Sequence, residues 1–151
     1  MGDYLRTTHT CTLASMRPEL VAVIRTHIQK YELGNLEPLV MWCCETTSTK
    51  QKRGLFGGKP EIIHTGVLLT AEWLIWAAGT IPGPIGVKSA RLRDIQVLDY
   101  EQSTDYKLIP DAGVVIHGRY TNAESVSSSF IGLGPEPSAV QFRSALRDAM
   151  R

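Results

Sequence analysis

Apolar residues between Pro18 and Gly34 recur at helical spacing, with charged residues falling between them. The apolar positions are Leu20, Val23, Ile24, Ile28 and Tyr31. Proline is typical of the first turn of a helix, and glycine often follows its last turn. The sequence therefore predicts an amphipathic helix over residues 18–33, whose apolar stripe is buried against a sheet or against a second copy of the chain.

From residue 37 onward the pattern changes to short runs of β-branched, aromatic and alternating apolar residues, which favour strands. Gly, Pro, Asn and Asp between the runs are typical of turns. The predicted strands cover residues 39–49, 61–69, 73–78, 113–120 and 126–134, and residues 87–100 divide near Arg93 into two short strands. The pattern thus predicts seven strands in succession.

The last segment of the chain returns to helical spacing. Its apolar residues, three or four positions apart, are Ala139, Phe142, Ala145, Leu146, Ala149 and Met150. This spacing predicts an amphipathic C-terminal helix with one apolar face. Arg143, Arg147 and Arg151 form a basic stripe on that helix, which we interpret as a face turned to solvent.

Residues 1–17 carry no hydrophobic period, and we expect a flexible N-terminal arm followed by a single domain over residues 18–151. The formal net charge of +1 gives no general attraction to nucleic acid, so an electrostatic partner must meet a local patch. We find no apolar run that fits a signal peptide or spans a bilayer, and expect a cytoplasmic protein.

The three cysteines favour a reducing compartment. Their number is odd, and Cys43 and Cys44 are neighbours on one predicted strand, where adjacent side chains point to opposite faces. These two residues are therefore badly placed to form a disulfide with each other.

Two segments carry a resemblance to a known family. Residues 64–79 form a strand, a Thr-led turn and an aromatic-rich strand, and residues 88–100 contain a polar strand that ends in Asp94 and Ile95. This succession, followed by a C-terminal amphipathic helix, resembles pleckstrin-homology-like domains of the bacterial PH and GRAM type.

The resemblance covers residues 37–151. It implies a mainly β (α+β) fold, in which a bent seven-stranded antiparallel barrel is capped by the C-terminal amphipathic helix. The additional N-terminal helix over residues 18–33 would be an accessory to that core. The family hosts many binding functions, and in its lipid-binding members the loop between the first two strands contacts headgroups.

Residues 50–60 are the strongest candidate for a membrane or partner contact. Their basic residues occur without an acidic one, and two large apolar residues lie between glycines at the centre. The candidate contact residues are Lys50, Lys52, Arg53, Leu55, Phe56 and Lys59. Basic and apolar groups together favour an anionic bilayer or a protein surface. The alternative is that Leu55 and Phe56 pack against the rim of the barrel or a neighbouring subunit, while the lysines keep the loop soluble.

The chain contains none of the catalytic motifs that we sought, and we expect neither catalytic residues nor a bound metal or cofactor. His64 and His117 lie on predicted strands and could in principle share a metal, but further ligands are lacking at useful spacing. We interpret them as hydrogen-bonded strand residues. Asp94 and Asp99 could form an acid and base pair only if the fold brings them together.

The sequence therefore predicts a non-catalytic interaction module that binds a protein partner or self-associates, without nucleic acid. Self-association is favoured by the apolar helix over residues 18–33 and by Trp73 and Trp76, which face opposite sides of one strand. The alternatives are peripheral binding to an anionic membrane through residues 50–60 and a barrel that binds a small ligand.

Overall fold

The computed structural model of the protein describes residues 3–51 and 60–151. The fold is mainly β, as predicted. The described residues contain eight strands in two antiparallel sheets, together with two α-helices and several one-turn 3-10 helices.

The first sheet is a five-stranded antiparallel meander. Its strands are β1 (Tyr4–Thr10), β2 (Trp42–Lys50), β3 (Ile62–Leu69), β4 (Trp73–Gly79) and β5 (Ile85–Arg91), and they pair in the order β1-β2-β3-β4-β5. Each strand therefore lies beside its neighbour in the sequence. Short turns join β3 to β4 and β4 to β5, whereas the connection from β1 to β2 contains a helix.

The second sheet consists of β6 (Ile95–Asp99), β7 (Gly113–Gly118) and β8 (Ser127–Gly132), in that order. A 3-10 turn at Leu92–Asp94 separates β5 from β6, which confirms the predicted division near Arg93. The predicted bent seven-stranded barrel is corrected, because β5 and β6 belong to different sheets and the eight described strands form two open meanders.

Helix α1 (Pro18–Lys30) lies on the face of the first sheet that points away from the second sheet. Its residues Leu20, Val21 and Ile24 are buried against side chains that include Leu68 and Ile75. The apolar stripe is thus covered within the chain by the sheet, one of the two arrangements that its spacing allows.

Helix α2 (Pro137–Ala149) covers the core between the two sheets. Fully buried members of that core come from both sheets and from the helix; they include Leu69, Leu74, Ile116, Ile131, Phe142 and Leu146. Among the described residues, neither helix is long and apolar enough to cross a membrane.

Trp73 and Trp76 face opposite sides of β4, as predicted. Trp76 packs in the core between the sheets, and Trp73 packs with the residues beneath α1. Both side chains are buried within the chain, so neither needs a second subunit to cover it. The two grounds on which the sequence favoured self-association are therefore satisfied inside one molecule.

Strand β1 lies in the segment that was expected to be a flexible arm, and this expectation is corrected. Residues Tyr4–Thr10 pair with β2 along their whole length. The hydrophobic pattern misses this strand because its inward positions are Arg6 and Thr8. The hydroxyl of Thr8 is 2.8 Å from that of Thr46, so a polar pair takes the place of an apolar contact.

Candidate functional site

Of the six residues that the sequence marks as a contact, Lys50 alone lies in the described part of the chain. It is exposed at the end of β2 and pairs with Tyr4. Lys52, Arg53, Leu55, Phe56 and Lys59 lie outside the described residues. Their proposed contact therefore stays a prediction.

The second sheet carries an exposed apolar row on its outer face. Leu98 pairs with Val115, and Val115 pairs with Phe130, so the three side chains stand side by side across β6, β7 and β8. Leu98 is 57% exposed and Phe130 is 38% exposed. Because water meets this row directly, it is a candidate for contact with another molecule.

Aromatic residues of the segment between β6 and β7 extend the row. The ring centroids of Tyr100 and Phe130 are 5.0 Å apart, and those of Tyr100 and Tyr106 are 6.2 Å apart. Ile109, whose carbonyl oxygen accepts a hydrogen bond from the Tyr100 hydroxyl, is 66% exposed. We name the surface formed by Tyr4, Leu98, Tyr100, Tyr106, Ile109 and Phe130 the aromatic corner.

Arg6 holds the aromatic corner in place. Its guanidinium donates two hydrogen bonds to the Asp111 carboxylate, at 2.9 and 2.7 Å, and one to the Ser48 hydroxyl. The same group lies 4.7 Å from the ring centroid of Tyr4 and 5.3 Å from that of Phe130. The planar guanidinium can donate several hydrogen bonds in its plane and stack on aromatic rings with its face. Through these contacts Arg6 joins β1 to β2, to β8 and to the segment before β7.

The aromatic corner adjoins the strand ends that flank residues 52–59. Tyr4 pairs with Lys50, and its hydroxyl is 3.5 Å from a carboxylate oxygen of Glu61. The chain of contacts from Glu61 through Tyr4 and Arg6 to Phe130 is therefore continuous. Lys50, the described residue of the predicted contact, therefore lies next to the aromatic corner at one end of the first sheet.

The basic stripe of α2 matches the prediction of a solvated face in part: the side chains of Arg147 and Arg151 are 58% and 81% exposed, whereas that of Arg143 is 14% exposed. Arg143 forms a 2.8 Å ion pair with Asp99 and a 3.0 Å ion pair with Glu101, and Arg147 lies 2.9 Å from Asp99. These pairs join the helix to the end of β6 and the segment that follows it. Asp99 therefore has a structural partner on α2.

The two histidines weighed as metal ligands lie in different sheets. His117 is on the outer face of the second sheet, where its Nδ1 atom is 2.6 Å from the hydroxyl of Ser128, as expected for a hydrogen-bonded strand residue. His64 is buried on β3, beneath the start of α1. Within residues 3–51 and 60–151, no group of three or more metal-binding side chains is placed to hold an ion.

His64 is buried without a hydrogen-bond partner for its Nδ1 atom among the described residues. Burial lowers the pKa of His64, and the positive charge of Arg17 lowers it further, while Glu45 and Glu19 oppose this change. Glu45 is itself buried on β2, where it accepts a 3.0 Å hydrogen bond from the backbone N–H of Arg17.

We expect the free energy of unfolding to fall as the pH drops below about 6.5, because unfolded His64 then binds a proton that the folded protein resists. Urea unfolding of wild type and His64→Gln, at neutral and mildly acidic pH, checks this. The variant should lose less stability on acidification. His27, whose pKa is also lowered by burial, accounts for a remaining pH dependence. Equal losses in the two proteins would contradict the role of His64.

Sequence reasoning missed the aromatic corner because its residues are far apart in the chain. Arg6 and Asp111, the ion pair beside Tyr4 and Phe130, are separated by 105 positions. The local signal that could have indicated it is the density of Tyr, Leu and Ile between residues 98 and 109, a segment that was interpreted as a strand end and a loop.

Comparisons with protein-family models, with curated proteins and with solved structures gave no match to this chain.

Proposed function

We propose that this protein is a non-catalytic interaction module of pleckstrin-homology-like architecture, which self-associates through the aromatic corner. The observation that carries the proposal is the exposed row of Leu98, Val115 and Phe130, together with the tyrosines that extend it. Large contiguous apolar patches are uncommon on the surfaces of monomers, and aromatic residues are enriched at protein interfaces.

The order of strands and helices along the chain supports the proposed pleckstrin-homology-like architecture. Four consecutive strands, β2 to β5, form most of one sheet, three more form a second sheet, and α2 follows and covers the core between them. This is the succession that the resemblance implies. Strand β1 and helix α1 are additions to it.

The aromatic corner is held rigidly, which favours binding. The side chains of Arg6 and Asp111 are 11% and 17% exposed, and their paired hydrogen bonds leave the guanidinium little freedom beside Tyr4 and Phe130. An interface of preordered aromatic side chains loses less conformational entropy on association than one of mobile side chains.

The charges around the aromatic corner favour a second copy of the chain as the molecule that binds there. In a twofold interface the same surface meets itself, so charged groups on it can pair across the interface only when both signs are present. Glu101, Asp105 and Lys107 are exposed in the segment between β6 and β7 that contributes to the aromatic corner. Lys50 is exposed at the end of β2 and pairs with Tyr4, so both signs of charge border the aromatic corner.

Binding to an anionic membrane is less favoured, because the charges beside the aromatic corner are of both signs: Glu101 and Asp105 occur with Lys107, and Glu101 is paired with Arg143. A small-ligand barrel is also less favoured. Among the described residues, fully buried apolar side chains such as Ile116, Ile131 and Phe142 occupy the space between the sheets.

Light scattering after size exclusion tests the proposal across a range of micromolar concentrations. We expect wild type to reach the mass of two chains, and Leu98→Ser with Ile109→Ser to raise the dissociation constant by at least about tenfold, because both side chains are exposed apolar contacts. The matched control is Leu39→Ser with Met41→Ser. These residues are 59% and 54% exposed near the other end of β2, and the control should dimerise like wild type.

A wild-type mass of one chain throughout the range would overturn the proposal, as would equal dissociation constants for the two double variants. Sedimentation with vesicles that contain anionic lipid completes the test. A monomer that sediments with these vesicles at low salt would replace self-association with peripheral membrane binding.

A further inference from the structure

Cys11 and Cys43 lie side by side at the end of β1. Thr10 pairs with Cys44 in the register of β1 and β2, so the next position along places Cys11 opposite Cys43. The backbone N–H of Cys11 donates a 3.0 Å hydrogen bond to the carbonyl oxygen of Cys43. The two Sγ atoms are 3.1 Å apart, and both residues are free thiols.

The third cysteine has no part in this pair. Cys44 points to the opposite face of β2 and is fully buried in the core with Val67 and Leu69. Burial raises the pKa of Cys44 to about 12, so its thiol is protonated and inert at neutral pH. The partner of Cys43 is therefore Cys11, from the neighbouring strand, and not Cys44, which follows it in the sequence.

The two paired thiols differ in their access to solvent. Cys43 is buried, whereas Cys11 is half-buried and lines an open groove of about 550 Å³ together with Leu13, Met41 and Trp42. A hydrogen bond from the Cys43 thiol lowers the pKa of Cys11, although burial and Glu45 oppose the change. The same contact and burial raise the pKa of Cys43. Cys11 is thus the thiol that a small oxidant reaches first.

We propose that Cys11 and Cys43 form a redox site, which hydrogen peroxide converts into a reversible intrachain disulfide. The Cys11 thiolate attacks one peroxide oxygen, so an S–O bond forms, the O–O bond breaks and the departing hydroxide takes up a proton to become water. Cys43 then attacks the sulfur of the Cys11 sulfenic acid. The S–S bond forms, the S–O bond breaks, and the hydroxyl leaves with the Cys43 proton as a second water.

The bridge would join positions 32 residues apart and enclose the whole of α1. Closing a loop of this size restricts the unfolded chain, so oxidation should raise the melting temperature by on the order of 10 °C. The sulfur atoms must approach by about 1 Å to reach the S–S bond length, a small movement at the end of a strand. A transient disulfide of this kind is compatible with a reducing compartment.

The test treats the reduced full chain with a molar excess of hydrogen peroxide under denaturant-free conditions. We expect the count of free thiols to fall from three to one, the mass to decrease by about 2 Da, and peptide mapping to join Cys11 to Cys43. Dithiothreitol should restore all three thiols and the lower melting temperature.

Single substitutions distinguish the roles of the three residues. Cys44→Ala should still form the bridge, whereas Cys43→Ser should stop at oxidised Cys11 without an intrachain disulfide. The proposal would be overturned if three free thiols remain in the wild type, if Cys44 is one of the bridged residues, or if the wild type carries oxygen on Cys11 without a bridge. Peptide mapping of the wild type decides these outcomes even where a variant does not fold.

Discussion

Phe142→Ala is expected to lower the free energy of unfolding by about 3 to 5 kcal/mol, because it removes a fully buried aromatic ring and leaves a cavity. Phe142 lies on α2 and packs in the core between the two sheets. Urea unfolding followed by circular dichroism measures the loss. The effect is large because one side chain contributes to the contact of the helix with both sheets.

The matched control is Val140→Ala on the same helix, where the side chain is largely exposed and alanine has the higher helix propensity. We expect its unfolding midpoint to stay close to that of wild type. A loss below about 1 kcal/mol for Phe142→Ala would contradict the role of α2 as the element that closes the core.

Asp111→Ala is expected to lower the free energy of unfolding by about 2 to 4 kcal/mol, because it leaves the largely buried Arg6 guanidinium without its carboxylate. The lower bound allows for the remaining solvent contact of the pair. Arg6 would also lose its fixed position beside Tyr4 and Phe130. The variant should therefore weaken self-association as well as stability.

Glu37→Ala provides the control, because it removes the same charge from an ion pair with Arg25 on the exposed surface. An exposed pair contributes little, since water screens it and the long side chains lose freedom on pairing. We expect an unchanged unfolding midpoint. Equal effects of Asp111→Ala and Glu37→Ala would mean that the Arg6 contact does not hold the aromatic corner together.

The strands from β2 to β8 were predictable because most of them carry apolar or β-branched residues, in runs or in alternation, between turn residues. Strand β1 was not predictable in this way. Its inward-facing residues Arg6 and Thr8 are polar, and their partners Asp111 and Thr46 lie far away in the sequence. A strand that is held by side-chain hydrogen bonds carries no alternating hydrophobic signal.

Part of the candidate site could likewise be predicted from the sequence, and part required the structure. Charge and glycine content indicated residues 50–60 from the sequence, since these are local properties. The aromatic corner depends on the pairing of Leu98, Val115 and Phe130 across three strands. The Cys11 and Cys43 contact likewise depends on the register of β1, so it followed from the structure once that strand was placed.

The most direct test of the central claim is nuclear magnetic resonance on a mixture of isotope-labelled and unlabelled chains, which detects contacts between copies alone. Self-association through the aromatic corner predicts intermolecular contacts from the Leu98 methyl groups and the Tyr106 ring, which are exposed on the outer surface. The claim would be contradicted by a dimer whose intermolecular contacts arise only from other surfaces, such as the one around Leu39, or by the absence of any intermolecular contact.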